Sequence, residues 1–394
     1  MRSAVKGIIV TAAFIGPGTV TTASLVGAQL GYQLVWALVF ALFATCVLQE
    51  MASRLGTVTQ LGLSQAILSQ HQHKAWKLLV TILICTAIGV GNAAYEGGNL
   101  TGAALGLSAS FGGSIAIWSL SLGALAALLL MSNQYRIIER ILISLVAIMS
   151  FVFLSLMVVA GVNPDNFFSG LRLDIGLFSD YALLLAIIGT TIVPYNLFLH
   201  ASMSAKDARQ GLKEKGAKTG LFASIGLGGL VTFAVMSSAA TAFFATGIVM
   251  DRGNIASQLE PLLGEYAGLF FALGLFSAGL TSAITAPLAA SYAIAGLFNW
   301  QAELSDWRFK AVSLAIIAVG VLVSVSGAKP FAIIVLAQAS NAVLLPVSAV
   351  LLLVVCNNKQ MMKEARNTLL NNIAAALVVI TVLVLAGYKL LSLV

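Results

Sequence analysis

The chain has 394 residues, of which 59% are hydrophobic and only 9% are charged, and its formal net charge is +7. Soluble domains usually contain about 25% charged residues, so this composition excludes a water-soluble globular protein. Successive apolar runs of about 20 residues predict an all-α integral membrane protein with many spans. The three cysteines lie in or at the end of apolar segments and lack C-x-x-C spacing, so we expect neither disulfides nor a thiolate metal centre.

Eleven apolar segments are predicted as transmembrane helices. Their approximate bounds are 5–31, 33–54, 77–105, 112–131, 139–161, 180–203, 218–247, 266–297, 309–327, 330–356 and 368–393. The first segment has no small-residue cleavage site and is followed at once by another apolar run, so we interpret it as a retained span. We number these segments span one to span eleven.

The Lys and Arg residues beside these spans predict their orientation, because cytoplasmic connections are enriched in both. With the N-terminus in the cytoplasm, 17 of the 21 basic residues lie on the cytoplasmic side. The four on the outer side are Arg172, Arg252, Lys329 and Lys389. We therefore expect a multi-pass protein of the cell inner (plasma) membrane whose N-terminus is cytoplasmic.

Span one is interrupted at residues 16–19, which read Gly-Pro-Gly-Thr. Pro17 removes a backbone donor and clashes with the preceding turn, while glycine leaves helical dihedrals at little steric cost. The pattern predicts two half-helices with bare backbone between them. In lipid, such backbone is tolerated only where it is buried in protein or lines a cavity, and a broken helix at the bilayer midplane indicates a transporter's binding site.

Span three contains the deepest carboxylate of the sequence, Glu96. Asn92, Glu96 and Asn99 have i, i+4 and i+7 spacing, which places them on one helical face. An acidic residue within the membrane indicates a functional site by default. Glu96 is therefore a candidate to carry a coupling proton or to contribute to a Na⁺ or substrate site, and the alternative is a protonated structural acid.

Span six repeats the interruption of span one, because Gly189 and Pro194 again lie in mid-membrane. Matching breaks at the start of two five-span groups predict an inverted repeat, since five is odd and the second group must have the opposite orientation. We expect one transmembrane domain, 1–394, with repeat one at about 5–161, repeat two at about 180–356 and an extra helix at 368–393. The alternative is that both prolines are plain kinks in a passive bundle.

Several other residues are weaker candidates. His200 lies about one and a half turns after the second break and is either a proton relay or a capping and packing residue. Glu50 and Arg54, at i and i+4, are expected to form an ion pair or a gate contact. Gln338 in span ten is a candidate cavity-lining residue. A face of span eight is either a packing seam or an ion site, and it comprises Ser277, Gly279, Thr281, Ser282 and Thr285.

At the two breaks the chain resembles the NRAMP divalent-metal transporters, which share the LeuT-like fold. The similarity extends to residues 51–55 in span two, 101–106 in span three, 277–285 in span eight and 344–346 in span ten. The resemblance implies a LeuT-like 5+5 inverted repeat with helices one and six broken. It also implies a secondary transporter that works by alternating access, with a divalent metal cation as substrate and no cofactor.

The chain differs from the family at the ligand positions that this resemblance implies. The family reads Asp-Pro-Gly-Asn at the first break, where both polar residues bind metal, whereas residues 16–19 read Gly-Pro-Gly-Thr. The family reads Met-Pro-His at the second break, where the Met binds metal, whereas residues 193–195 read Val-Pro-Tyr. On span three, Asn99 stands where a second acid is usual.

Two substrate classes therefore stay open. The first is a divalent cation, Mg²⁺ or Mn²⁺, which either keeps several waters and binds through neutral oxygens or binds through Glu96 and backbone oxygens. The alternative is a small organic solute such as an amino acid, whose carboxylate would lie on half-helix N-termini. In either case we expect H⁺ or Na⁺ as the coupling ion. The residues expected to bind substrate are Gly16, Thr19, Asn99, Thr190, Val193, Tyr195 and Gln338; those expected to couple are Glu96 and His200; and those expected to contact metal are Thr19, Glu96 and Gln338.

Other functional classes are less well supported. The sequence has no P-loop, His-Glu-x-x-His or Ser-x-Gly constellation, so we expect neither ATP-driven pumping nor an enzyme. The matched breaks argue against a channel, and the lack of a soluble domain argues against a receptor. The basic residues are explained by membrane topology and need no nucleic-acid partner.

Overall fold

The computed structural model describes residues 16–70, 73–132, 135–162, 164–172, 181–212, 217–251 and 253–391, and these ranges contain helices and connections but no strand. The helices are α1 (Pro17–Leu30), α2 (Val35–Thr59), α3 (Leu63–Ser69), α4 (Lys74–Ile84), α5 (Gly91–Phe111), α6 (Ile115–Met131), α7 (Tyr135–Ala160), α8 (Pro164–Gly170), α9 (Tyr181–Thr191), α10 (Pro194–Arg209), α11 (Ala217–Ala239), α12 (Glu260–Leu263), α13 (Ala267–Phe298), α14 (Trp307–Ser324), α15 (Pro330–Asn357), α16 (Lys359–Met362) and α17 (Leu369–Leu391).

Helices occupy every predicted span as far as the described residues reach. Within them, seven helical segments are long and apolar enough to cross a membrane, or nine if each of two bent pairs is one span. The count falls below eleven partly because α1 is described only from Pro17 and because α6 has 17 residues. The all-helical membrane architecture agrees with the sequence, and the number eleven stays a prediction.

The break predicted in span six is present. Helix α9 ends at Thr191, and α10 begins at Pro194, its first residue. Between them Val193 is extended, with φ −92° and ψ 116°. Proline explains the arrangement, because it is tolerated in the first turn of a helix and not in its interior.

The break predicted in span one is described on one side only. Helix α1 begins at Pro17, and Gly16 before it is extended, with φ −97° and ψ 175°. The expected first half-helix, residues 5–15, lies outside the described ranges and stays a prediction. From Gly16 onward, the second half has the geometry expected of a helix that restarts after an interruption.

The two halves of span six form the centre of the molecule. In the most apolar window of Tyr181–Arg209, 94% of the residues are buried, against 33% for α14. Around this centre α5 packs against α13, α14 and α15, and α9 packs against α15. Residues that line a site between the breaks therefore come mainly from α1, α5, α9, α10, α13 and α15.

Glycines let several central helices touch backbone to backbone. A Cβ placed on Gly27, Gly56 or Gly189 would lie 2.1 Å from a carbonyl oxygen of the neighbouring helix. Small residues serve this purpose at helix contacts in membranes. Gly189 thus brings α9 directly onto the backbone of α15 at Gln338.

A connection at one end of the molecule is anchored to these helices. Residues Ile255–Leu259 form a 3₁₀ turn whose Gln258 side chain is buried. Ser24 and Ser238 each donate from Oγ to Gln258 Oε1 at 3.2 Å. The turn therefore closes over α1 and α11, on the side that the basic residues predict to be external.

Candidate functional site

The start of α1 and the end of α9 meet through two threonines. Thr19 Oγ1 and Thr190 Oγ1 are 2.7 Å apart and form a buried hydrogen bond. The Gly16 N–H also donates to Thr19 Oγ1, at 3.3 Å. At the second break, the Thr45 hydroxyl of α2 donates to the Thr191 carbonyl oxygen at the end of α9, at 3.1 Å. The predicted residues Thr19 and Thr190 are therefore side by side.

Gly16 lies in a narrow gap between α5 and α13. A Cβ on Gly16 would be 2.5 Å from Ser282 Oγ and 3.4 Å from Asn99 Oδ1. Both of those oxygens are buried, and neither has a hydrogen-bond partner among the described residues. The missing side chain at position 16 thus leaves two oxygen atoms facing the extended backbone of the break.

Glu96 and Asn99 form a buried pair on α5. Asn99 Nδ2 donates to Glu96 Oε2 at 3.2 Å, while Glu96 Oε1 has no partner within the described ranges. The stem of Glu96 rests on Gly320 of α14, where a Cβ would lie 2.5 Å from Glu96 Cγ. Asn92, which the sequence places on the same face, instead donates to the Ala286 carbonyl of α13 at 3.0 Å. Asn92 is therefore engaged elsewhere.

Gln338 closes the gap from the side of α15. A Cβ on Gly18 would overlap its amide nitrogen, and one on Gly98 would be 3.7 Å from the same atom. Neither amide atom of Gln338 has a hydrogen-bond partner in the part of the chain that is described. Gln338, a candidate cavity-lining residue by sequence, thus lies beside Gly18 of the first break, and its role in binding stays a prediction.

The second break contributes an aromatic residue and an apolar one. The rings of Tyr195 and Tyr95 are 5.4 Å apart between centroids, and Tyr195 also interacts with Thr285. Val193 is buried and has no polar side-chain atom to offer. Of these two predicted positions, only Tyr195 brings a polar side chain, and Val193 can contribute only its peptide group. Asn196, one residue further on, has a buried amide without a partner among the described residues.

His200 is buried on α10 and bonds to α2. Its Nδ1–H donates to Gln49 Oε1 at 2.9 Å. The sequence singled out His200 but not its partner, although an amide in the middle of an apolar span is itself a signal. Along α10, His200 lies between the second break and the end of the helix that carries basic residues.

Glu50 and Arg54 form the predicted ion pair at that basic end, with 3.2 Å between Arg54 Nε and Glu50 Oε1. Lys218 Nζ approaches the same oxygen at 2.7 Å. Arg54 also donates to the Ala365 carbonyl and, at 2.8 Å, to Asn367 Oδ1. The cluster ties α2 to α11 and to the connection before α17, away from the breaks.

The centre as a whole has unused hydrogen-bonding capacity. Buried polar atoms normally have a partner in the protein or in water. The buried atoms around the breaks that lack a partner in the described ranges belong to Thr21, Thr22, Glu96, Asn99, Asn196, Ser282, Gln338 and Asn341. These atoms belong to hydroxyl, amide and carboxyl groups, which suit a polar or hydrated ligand.

The same residues determine which metals the centre fits. Within the described ranges no group of three or more His, Cys, Asp and Glu side chains could hold a metal ion. Oxygen ligands suit Mg²⁺ and Mn²⁺, whereas thiolate and thioether ligands select softer ions. Ser282 belongs to this oxygen set. From the sequence, Ser282 has either a packing role or an ion-binding role. It lies at the first break because α1 approaches α13.

Comparison with known sequences agrees with this architecture. The family described as natural resistance-associated macrophage protein-like matches residues 7–392. The divalent metal cation transporter MntH of Bradyrhizobium diazoefficiens is 28% identical over 361 residues, covering 87% of this chain and 79% of that protein. MntH 1 of Pseudomonas aeruginosa is 27% identical over 341 residues, covering 81% and 74%.

Solved structures share the fold. A manganese transporter of Eremococcus coleocola superposes with a TM-score of 0.76 at 22% identity, covering 98% of this chain and 85% of that one. MhsT in complex with L-phenylalanine superposes with a TM-score of 0.65 at 13% identity, covering 96% and 98%. At these identities the likeness concerns the fold alone.

Proposed function

The chain belongs to the natural resistance-associated macrophage protein-like (NRAMP) family, and from that premise we propose that it is a secondary transporter for a divalent metal cation. Its named relatives are divalent metal cation transporters. The proposed mechanism is alternating access, in which the cargo binds between the two breaks while the surrounding helices open to one side at a time. NRAMP proteins are membrane transporters, which supports a transport function for this chain.

The observation that carries this proposal is the set of unpartnered oxygens at the first break. Ser282 Oγ and Asn99 Oδ1 face Gly16, and the Gln338 amide faces Gly18. We propose that a hydrated Mn²⁺ or Mg²⁺ is held there through these atoms and through Thr19, with water completing the shell. Retained waters lower the desolvation cost of a site with a single carboxyl group.

Glu96 has a second proposed role as the coupling residue. Among the described polar residues around the breaks it is the one acid, and Asn99 connects it to the oxygens at Gly16. A proton gained or lost at Glu96 would change the charge beside the cargo. His200, with Gln49, is proposed to pass that proton towards the basic end. The coupling ion is then H⁺, and Na⁺ is the alternative.

The topology is proposed as the sequence predicts it. Eleven spans with a cytoplasmic N-terminus account for the uneven distribution of Lys and Arg. The broken span six and the start of α1 at Pro17 support two inverted repeats, about 5–161 and 180–356, followed by an extra helix, 368–393, within one domain, 1–394. The proposed location is the cell inner membrane.

A small organic solute such as an amino acid is the second candidate substrate. The observation that favours it is the pair of tyrosine rings, Tyr95 and Tyr195, beside a centre in which Val193 offers no side-chain ligand. Aromatic rings contribute flat apolar contact area. The extended backbone at Val193 and the N-terminus of α10 would then receive a carboxylate.

One experiment separates the two substrates. Purified protein is heated with Mn²⁺, Mg²⁺ or each amino acid in turn, and uptake of the same compounds into proteoliposomes is measured in parallel. The proposal expects a divalent cation to raise the melting temperature and to be accumulated. It is wrong if the cations change neither quantity while an amino acid changes both.

A further inference from the structure

A second cavity lies away from the two breaks, where α3, the C-terminal parts of α10 and α13 and the connection 299–303 meet. Its volume is about 540 Å³. Pockets of about 300–1,000 Å³ accommodate small organic molecules. Since α10 and α13 both end here, this cavity is at the basic end of the molecule, not at the proposed cation site.

Two cations on one face of α10 line this cavity. Lys206 and Arg209 are three residues apart, which places their side chains next to each other on the helix. Among the described lining residues Glu303 is the only acidic one, so that part of the lining has a net positive charge. Glu303 accepts a hydrogen bond from Ser305 at 3.4 Å, and within the described ranges it forms no ion pair with either cation.

A buried hydroxyl in the lining also lacks a partner. Ser64 of α3 is only 2% exposed, and its Oγ makes no hydrogen bond to any described residue. A buried hydroxyl is normally satisfied by protein or by ordered water. Ser64 is thus an unpartnered hydroxyl among the lining residues, on a helix other than that of the two cations.

Two aromatic residues of the lining, Tyr292 and Trp300, are held in place by their neighbours. The ring of Trp300 stacks on Phe298 with 5.1 Å between centroids, and the Arg308 guanidinium lies 5.3 Å from the Trp300 ring centroid. Tyr292 packs edge-on against Phe309 at 5.1 Å. Aromatic residues held in place in the same lining as two cations match a ligand with an anionic head and an apolar or ring-shaped body.

We propose that this cavity is a binding site for a phosphorylated organic molecule, whose phosphate is held by Lys206, Arg209 and Ser64 and whose body lies against Tyr292 and Trp300. Arginine and lysine donate charge-assisted hydrogen bonds to phosphate, which are about twice as strong as neutral ones. Two cations beside an open cavity repel a dication, so this site is separate from the proposed metal route. Both a phospholipid headgroup and a soluble phosphate ester have the required chemistry.

The test is a titration of the purified full chain with three probes: adenosine 5′-monophosphate, dihexanoylphosphatidylglycerol and inorganic phosphate. Binding is followed by calorimetry and by melting temperature. At least one organic phosphate is expected to saturate the wild-type protein. Binding of the nucleotide alone identifies a soluble ligand, and binding of the lipid alone identifies a headgroup.

Variants connect the binding to this cavity. The double variant K206Q/R209Q is expected to weaken affinity by about tenfold or more, since it removes both charge-assisted contacts. Ser64→Ala is expected to weaken it by about threefold. The charge-preserving pair K206R/R209K tests for misfolding and should keep binding.

The matched control is K359Q/R366Q, which removes two exposed cations outside the cavity and should bind as the wild type does. The proposal is overturned if no organic phosphate binds saturably. It is equally overturned if K206Q/R209Q, with an unchanged melting temperature in the absence of ligand, binds as well as this control.

Discussion

Gly16 approaches Ser282 so closely that any larger residue must displace one of the two. A Cβ at position 16 would lie 2.5 Å from Ser282 Oγ. We predict that Gly16→Ala lowers the free energy of unfolding by about 1–3 kcal/mol, the usual effect of overpacking. The measurement is the melting temperature in detergent.

Two further variants give this prediction its controls. Adding Ser282→Ala to Gly16→Ala should recover much of the lost stability, because it removes the oxygen that the new Cβ meets. Gly226→Ala should leave stability unchanged or raise it slightly, since it lies inside α11 and a Cβ there has no neighbour within 4 Å. Equal effects of the alanine at positions 16 and 226 would contradict the close approach of α1 to α13.

Glu96 is predicted to make transport depend on the proton gradient. Glu96→Gln keeps the size and the hydrogen bond to Asn99 but cannot gain or lose a proton. Uptake into proteoliposomes should therefore lose its stimulation by an acidic exterior. Glu364→Gln, at an exposed position in the 3₁₀ turn after α16, is the control. Acid-stimulated uptake that survives in Glu96→Gln would remove Glu96 from the coupling role.

At this scale the sequence placed Glu96 and Asn99 on one helical face, whereas it gave no sign that Asn92 would bond to α13 instead. Glu96 and Asn99 are three residues apart on one helix, and their hydrogen bond follows from that spacing. The contacts of Gly16 with Ser282 and of His200 with Gln49 join residues from distant spans. No local pattern contains such contacts, because they depend on how the helices pack.

Among the helices, the interruption between α9 and α10 is the feature most directly encoded by one residue. Pro194 has no N–H and cannot occupy a helix interior without a kink. We predict that Pro194→Ala lets the two helices join, so that transport falls by about tenfold or more while the melting temperature stays the same or rises. Uptake and melting temperature are measured on the same preparation.

Pro287→Ala is the matched control for the broken helix. Pro287 is also buried and lies in the membrane, but α13 continues through it. Its replacement should leave most of the transport activity intact. If both alanine variants transport equally well, the break at Pro194 is a kink without a role in binding.

Arg54 is predicted to hold the basic end of the molecule together. It contacts Glu50, Ala365 and Asn367, which belong to two distant parts of the chain. Arg54→Gln should lower the free energy of unfolding by about 1–3 kcal/mol, because hydrogen bonds to a charged group and a partly buried partner are lost. Arg366→Gln, an exposed neighbour, should change the melting temperature little. Equal shifts would remove the proposed link.

The sequence predicted elements well where hydrophobicity and proline determined them. Pro194 located the break, and the apolar runs located the spans to within a few residues. Short elements were not predicted, among them α3 and the π-helical stretch Cys85–Val90 between α4 and α5. An apolar run has the same pattern in either helix type, and the choice depends on packing against neighbouring helices.

For the whole molecule, the fold supports a metal transporter more strongly than the side chains at the two breaks do. The chain has the NRAMP fold, but the side chains at the breaks are hydroxyl, amide and aromatic groups, where the resemblance to the family implies an acid, an amide and a thioether. This difference favours a cargo that keeps part of its water over one that is fully dehydrated. It also explains why family membership leaves the identity of the cation to experiment.

The most direct test of the account is cation uptake by proteoliposomes that contain either the wild-type chain or the double variant N99A/Q338A. The wild type should accumulate Mn²⁺ or Mg²⁺ saturably, and the double variant should lose about tenfold or more of that uptake, because two of the proposed oxygen ligands are gone. Wild-type protein that accumulates neither cation, or a double variant that transports as well as the wild type, would contradict a cation site between the two breaks.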